Sequence, residues 1–221
     1  MSLVERHAAR PLRIAVLASG SGTNLQAIID RFASSEEVAI VAVGSNRLDA
    51  RALERAHKAG IGTTVFARAD YEDRVARDAA LGEWLAELDV ELVVLAGYME
   101  LLSVDLVRRF AGRMINVHPA LLPSFPGLDA IGQALEHGVR VTGVTVHFVD
   151  EGVDTGPILL QQPIELTYTR SKQEIEAEVH EIEHELLPRA IELIAAGAVR
   201  FDPDHPRIVR IDERTERQTA D

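Results

Sequence analysis

The chain has 221 residues, enough for one large domain, and 47% of them are hydrophobic, enough to bury a sizeable core. With 35 acidic against 23 basic residues the net charge is −12, which disfavours nucleic-acid backbones and anionic membranes; a phosphorylated ligand must be caught by a local site. There is no cysteine, hence no disulfide and no thiolate metal site, and no apolar run long enough to cross a bilayer, so a cytoplasmic location is expected.

Residues 1–12 read as a flexible leader, 13–212 as a single domain and 213–221 as a frayed tail. Arg13 to Ala18 is a compact aliphatic run, a buried strand. Ser19-Gly20-Ser21-Gly22-Thr23-Asn24 follows, then Leu25 to Phe32 with helical spacing. Strand, glycine-rich turn and helix make the first half of a βαβ unit. Glycines there let backbone N–H groups approach an anion at the helix start, where the helix dipole also helps. The turn lacks the third glycine of a dinucleotide fingerprint and the lysine of a P-loop, so it reads as a monophosphate cradle or a plain tight turn.

Val38 to Val43 is a second strand, a helix covers about Ala50 to Ala59, and Thr63 to Phe66 is a short third strand. A long helix is expected over roughly Tyr71 to Leu88, with Arg74 in its first turn. Leu92 to Ala96 is apolar throughout, as for a central parallel strand covered on both faces. Met114 to Val117 is the fifth strand. Asn116 and His118 stand two apart, so on an extended backbone they share a face. Pro119, Pro123 and Pro126 then stiffen the loop, and Leu122-Pro123 is a candidate cis bond. A helix over about Ala130 to His137 and a strand over Val141 to Val149 lead to Asp154, set in a turn between Gly152 and Gly156. Ile158 to Gln162 resumes as a strand, and Leu166-Thr167 ends that arm. The last long helix runs from about Lys172 to Ala195, where Pro188 is expected to kink or divide it. Two short strands, near Val199–Phe201 and Ile208–Ile211, pair across a turn. The fold class is α/β: a Rossmann-like open, mostly parallel sheet with helices on both faces and antiparallel strands towards the C-terminal side. In such sheets ligands gather at the carboxyl ends of strands, so the ends of the first, fourth and fifth strands are expected to face one crevice.

Asn116, His118 and Asp154 combine an oxyanion donor, a proton carrier and a carboxylate able to stabilise an imidazolium and fix its orientation. No protein nucleophile stands beside them, so a substrate amine is the expected nucleophile in a direct transfer. No HExxH or paired-histidine spacing is present, and no metal site is expected. His57, His137, His180 and His184 read as helix-face residues, and His147 as a strand residue that packs or bonds locally.

Asn116-x-His118-Pro119-x-Leu121-Leu122-Pro123, followed by Gly143-x-Thr145-Val146-His147-Phe148-Val149 and by Asp154-x-Gly156-Pro157-Ile158, resembles the folate-dependent formyltransferases. The Ser19–Ile28 stretch is similar to the branch acting on phosphoribosylglycinamide, and the likeness runs from about Ile14 to Pro188. It implies transfer of the formyl group of 10-formyltetrahydrofolate, as co-substrate, to the amine of 5'-phosphoribosylglycinamide in purine biosynthesis. His118 would be the general acid/base, Asn116 the oxyanion donor and Asp154 the partner of His118. Gly22, Thr23, Asn24 and Glu183 match positions that hold the ribonucleotide; Arg74, Met99, Glu100, Leu101, Leu102 and Asn116 match positions that touch folate. For Arg74 and Glu183 a plain surface role competes. The family usually has Arg where this chain has Glu100, and often His near Asp129. The alternatives are a formyltetrahydrofolate deformylase, expected to carry an additional N-terminal domain, a methionyl-tRNA formyltransferase, expected to be basic with an additional C-terminal domain, and a non-catalytic nucleotide-binding module. An exposed sheet edge or apolar helix face would support a homodimer.

Overall fold

The aliphatic run that starts at Leu12 forms an interior strand of a seven-stranded sheet in the computed structural model, which describes residues 10–212. The expected leader up to residue 9 and the expected tail lie outside the described residues. In chain order the elements are β1 (Leu12–Leu17), α1 (Thr23–Phe32), β2 (Val38–Ser45), α2 (Arg51–Lys58), β3 (Thr63–Val65), α3 (Arg74–Glu87), β4 (Leu92–Leu95), α4 (Val104–Arg109) and β5 (Met114–His118). Then come α5 (Ala130–Glu136), β6 (Val141–Phe148), β7 (Ile158–Glu165), α6 (Lys172–Ala195), β8 (Val199–Phe201) and β9 (Val209–Ile211). The sheet order is β3-β2-β1-β4-β5-β6-β7. The five strands from β3 to β5 run parallel, and β6 and β7 are antiparallel additions. The order reverses between β1 and β4, and there the loops after the two strands diverge to opposite sides and leave a crevice.

Alternation along the strands divides the core in two. Ile14, Val16, Leu92, Val94, Ile115 and Val117 face one layer, packed against residues of α1, α2 and α6. Ala15, Leu17, Val93, Leu95 and Met114 face the other, packed against Leu81 and Leu85 of α3 and Leu106 of α4. Each such Val, Leu, Ile or Met side chain, once buried, contributes about 1.5–3 kcal/mol. Because side chains alternate, Asn116 and His118 continue the row of Met114, on the α3–α4 side of the sheet.

Four local expectations are revised. The helix expected from Tyr71 begins at Arg74 because the Asp73 carboxylate accepts the Ala76 N–H at 2.8 Å and caps it there. α4 is an element the periodicity did not announce; it is six residues long, and Ser103 caps it. β7 continues through Pro163 to Glu165, since an edge strand has one unpaired side on which a missing N–H is tolerated. Pro188 does not divide the last helix, which runs unbroken for 24 residues behind a Ser171–Glu174 capping box. Leu187, Ala190 and Ile191 are fully buried around it. Their packing outweighs a local proline cost of about 3 kcal/mol.

Candidate active site

The crevice is closed at its base by backbone. After β1, the Ser19 N–H donates to the Gly97 carbonyl at 3.0 Å, and the Met99 N–H donates to Ser19 Oγ at 2.8 Å. These bonds join the turn after β1 to the loop after β4. Gly22 is the N-cap of α1, with φ +70°. A Cβ there would stand 2.6 Å from the Ala52 Cα, so both the backbone angle and the space require glycine. No side chain caps this helix. Its ladder opens with the Gln26 N–H on the Gly22 carbonyl at 2.9 Å, so the N–H groups of Thr23, Asn24 and Leu25 stand outside it. Three N–H groups at the positive end of a helix are suited to an anion.

A cleft of about 760 Å³ opens over this turn. Ser19 to Asn24, Asn46, Arg47, Gly97, Met99, Glu100, Val117, Pro119, His180 and Glu183 are among its lining residues. Glu183 comes from α6, where it interrupts the buried stripe Ile175, Val179, Leu187, and is only 4% exposed. Its Oε2 accepts from Asn24 Nδ2 at 3.0 Å and faces His180 Nδ1 at 2.9 Å. Burial of Glu183 removes the surface alternative left open by the sequence. The hydrogen bond to Glu183 holds the His180 imidazole above its ordinary value, against a smaller lowering by burial. Asn24 Oδ1 and Asn46 Oδ1 are buried without a protein partner. Such atoms need an acceptor's complement from a ligand or from water.

At the end of β5, on the other face, lie Asn116 and His118. Register places Asn116 opposite His147 and His118 opposite Thr145 of β6. The Asp154 carboxylate meets Asn116, His118 and His147. Its Oδ2 is 3.4 Å from His118 Nδ1, its Oδ1 accepts from Asn116 Nδ2 at 3.4 Å, and His147 Nε2 lies 3.6 Å from Oδ1. The Gly127 N–H also donates to Oδ2, at 2.8 Å. Asp154 adopts φ +53°, a left-handed conformation that aspartate tolerates better than most residues. Burial pushes its carboxyl up, but hydrogen bonds from His147 and the Gly127 N–H, with the charges of His118 and His147, outweigh that and hold it below the usual carboxylate range. His118 Nε2 faces the Phe125 carbonyl at 2.8 Å. Both ring nitrogens therefore face acceptor oxygens, and a proton on either is held.

The loop that brings Phe125 to the imidazole is itself anchored. Thr145 Oγ1 donates to the Ala120 carbonyl at 2.7 Å and accepts the Leu122 N–H at 3.1 Å, and Gln161 Nε2 donates to the Leu122 carbonyl at 2.9 Å. The Leu122-Pro123 bond is cis.

None of Asn116, His118 and Asp154 lines the cleft, but Val117 and Pro119 do. The two compartments meet where β5 ends. Of the residues matched to folate contact, Met99 and Glu100 line the cleft, Leu101 is exposed beside them, and Leu102 is half-buried. Arg74 is exposed at the first position of α3 and does not line the cleft. Asn46, Arg47 and His180 were not singled out from the sequence as site residues. Asn46 and Arg47 follow directly on β2, and the position at a strand's carboxyl end was the available signal.

The formyl transferase family model matches residues 12–191. The chain belongs to the formyl transferase family. Among its relatives, the phosphoribosylglycinamide formyltransferase of Bacillus subtilis is 41% identical over 180 residues, 81% of this chain and 92% of that protein. The trifunctional purine biosynthetic protein adenosine-3 of Drosophila pseudoobscura pseudoobscura is 46% identical over 191 residues, 85% of this chain but 14% of that protein's length. The crystal structure of glycinamide ribonucleotide transformylase 1 from Symbiobacterium toebii superimposes with a TM-score of 0.86 at 44% identity, covering 96% of this chain and 98% of that one. The mostly parallel sheet with its antiparallel arm is thus the arrangement of solved members of the formyl transferase family. No helix among the described residues is long and apolar enough to cross a membrane.

Proposed function

We propose that this formyl transferase passes the formyl group of 10-formyltetrahydrofolate directly to the amine of 5'-phosphoribosylglycinamide, giving formylglycinamide ribonucleotide and tetrahydrofolate in purine biosynthesis. The observation that carries the reading is the convergence of Asp154 on both Asn116 and His118 at the end of β5, next to an uncapped helix start suited to a phosphate. The phosphate rests on the turn that Gly22 opens, on the N–H groups of Thr23, Asn24 and Leu25, and Glu183 takes the ribose hydroxyls. The folate lies along Met99 to Leu102 and reaches Asn116. The glycinamide nitrogen attacks the formyl carbon, and a new C–N bond forms as the carbonyl oxygen becomes an oxyanion. Asn116 Nδ2 donates to that oxygen. The bond from the formyl carbon to N10 of the folate then breaks. The proton lost by the amine is delivered to N10, with His118 as its carrier. Asp154 holds the imidazole in the orientation this requires.

The test is to incubate the purified chain with both substrates and follow formylglycinamide ribonucleotide and tetrahydrofolate together. Equal formation of the two supports the proposal. Formate release without transfer assigns a deformylase, and binding without turnover assigns a nucleotide-binding module.

Gly22→Val tests the phosphate cradle. The left-handed backbone alone costs about 1–3 kcal/mol in a β-branched residue, and the added carbon meets Ala52. The ribonucleotide is expected to weaken at least about tenfold more than the folate, measured by the separate KM values. Equal weakening of both would assign the change to a general loss of structure.

A further inference from the structure

Among the described residues the largest fully buried side chain is a cation outside the site described above. Arg77 is 1% exposed, on α3. The i,i+4 spacing of Arg77, Leu81 and Leu85 sets it in line with the apolar stripe that α3 turns to the sheet. A buried guanidinium needs partners for its donors. Here every one of them lies in or beside the loop that follows β4. Nε donates to Asp78 Oδ1 at 2.9 Å, Nη1 pairs with Glu100 Oε2 at 3.0 Å, and Nη2 donates to the Leu101 carbonyl at 3.2 Å. Asp78 is fully buried, and its other oxygen accepts the Ser103 N–H. Ser103 in turn caps α4 through the Leu106 N–H.

Glu100 is the exposed end of this chain. A quarter of its side chain reaches solvent, it lines the cleft, and its Oε1 accepts from Asn46 Nδ2 at 3.3 Å. Burial pushes its carboxyl up, but hydrogen bonds from Arg77 and Asn46 and the charges of Arg77 and Arg68 outweigh that and hold it below its ordinary range. The Tyr98 hydroxyl, buried nearby without a partner, is pushed up to about 12 by burial. Glu100 therefore faces the cleft as a carboxylate, tied back on one side by a guanidinium and on the other by an amide.

We propose that Arg77 is a positioning residue for formyl-donor binding: with Asp78 it clasps the segment Met99–Ser103, and it holds the Glu100 carboxylate against the cleft wall. The inference rests on the assignment of Met99–Leu102 to the folate. Released from Arg77, the carboxylate would swing into the cleft, where it repels the anionic tail of a folate. The ribonucleotide is held in the same cleft by the start of α1 and by Glu183, neither of which is a partner of Arg77.

Two measurements test the clasp in the full chain. In steady-state kinetics, Arg77→Met is expected to raise KM for 10-formyltetrahydrofolate about tenfold and to leave the ribonucleotide KM within about twofold. The double variant Arg77→Met/Glu100→Gln removes the freed charge with the cation, and is expected to recover most of the loss as a coupling between the two positions. In hydrogen exchange without substrates, Arg77→Met is expected to speed exchange at 99–103 and leave α1 unchanged. If Arg77→Met does not fold, Glu100→Gln alone carries both readouts, with an expected rise of about threefold in the donor KM. A parallel rise in both KM values, no recovery in the double variant, or unchanged exchange at 99–103 overturns the proposal. The exchange measurement involves no substrate, so failure of the formyl-transfer assignment and failure of the clasp are read separately.

Discussion

His118→Asn is expected to lower kcat by about 10²–10⁴-fold, the range over which a positioned acid/base group contributes. A thousandfold loss is about 4 kcal/mol of transition-state stabilisation. The imidazole is 4% exposed, and its two nitrogens face Asp154 and the Phe125 carbonyl. Among the described residues, His118 is the titratable side chain that β5 itself supplies at its end, and Asp154 faces its Nδ1. His147, the nearest candidate, is 2% exposed, faces the Phe148 carbonyl with Nδ1 and Asn116 with Nε2, and is paired with Asn116, two residues before His118 on β5. Asparagine keeps a polar group in the site and is expected to preserve the fold. Its single-turnover rate should lose the pH limb belonging to an imidazole. A loss below about tenfold would mean that water carries the proton unaided, and His118 would leave the mechanism.

The central strands β1, β2 and β4 were legible because each is built on a short aliphatic run soon followed by glycine or serine. The run Leu92–Leu95 illustrates it, buried on both faces as its unbroken apolarity requires. Asn116 and His118 were legible as a pair from spacing alone, and Asp154 from its glycine-flanked turn. The structure sets these three within hydrogen-bonding or ion-pairing range of one another through Asp154. Charged residues on helices were harder. Periodicity assigns a charge to the outer face unless its i,i+4 neighbours are examined, and Arg77 above Leu81, or Glu183 below Val179, reads as surface until they are. Arg74 was marked on resemblance, whereas Arg77, three residues on, makes the buried contacts. Pro188 shows the opposite bias, a strong local signal overruled by packing on a long helix. What spacing cannot supply is long-range pairing: Asn24 with Glu183 joins residues 159 apart in sequence, and only the folded sheet brings α1 and α6 together.

Asp154→Asn is expected to lower kcat by about 10²–10⁴-fold, since a carboxylate that orients a catalytic imidazole carries an effect of that order. The amide keeps one oxygen, which can still accept the Gly127 N–H, so the turn at residue 154 is retained. Its NH₂ group must then face either the Asn116 amide or an imidazole that presents N–H, and a donor meets a donor. The oxygen that accepts the Gly127 N–H also faces His118 Nδ1, so the ring keeps an acceptor but loses the negative charge beside it, while the NH₂ group meets Asn116 and His147. The effect on stability has a definite sign. Asp154 has a folded-state value below its ordinary one, so its ionisation contributes stability that is present above the ordinary carboxylate range. That contribution is lost as pH falls through the depressed value. The wild type is therefore expected to exceed Asp154→Asn in stability at neutral pH, with the gap narrowing as acid is added; denaturant titrations at several pH values measure it. A gap that stays constant down to the lowest pH would deny Asp154 its charge-dependent contacts. An unchanged kcat would show that the carboxylate serves the fold and not the transfer. The two readouts separate because one oxygen, which asparagine keeps, serves both the Gly127 N–H and the His118 ring, whereas the negative charge beside the ring is lost.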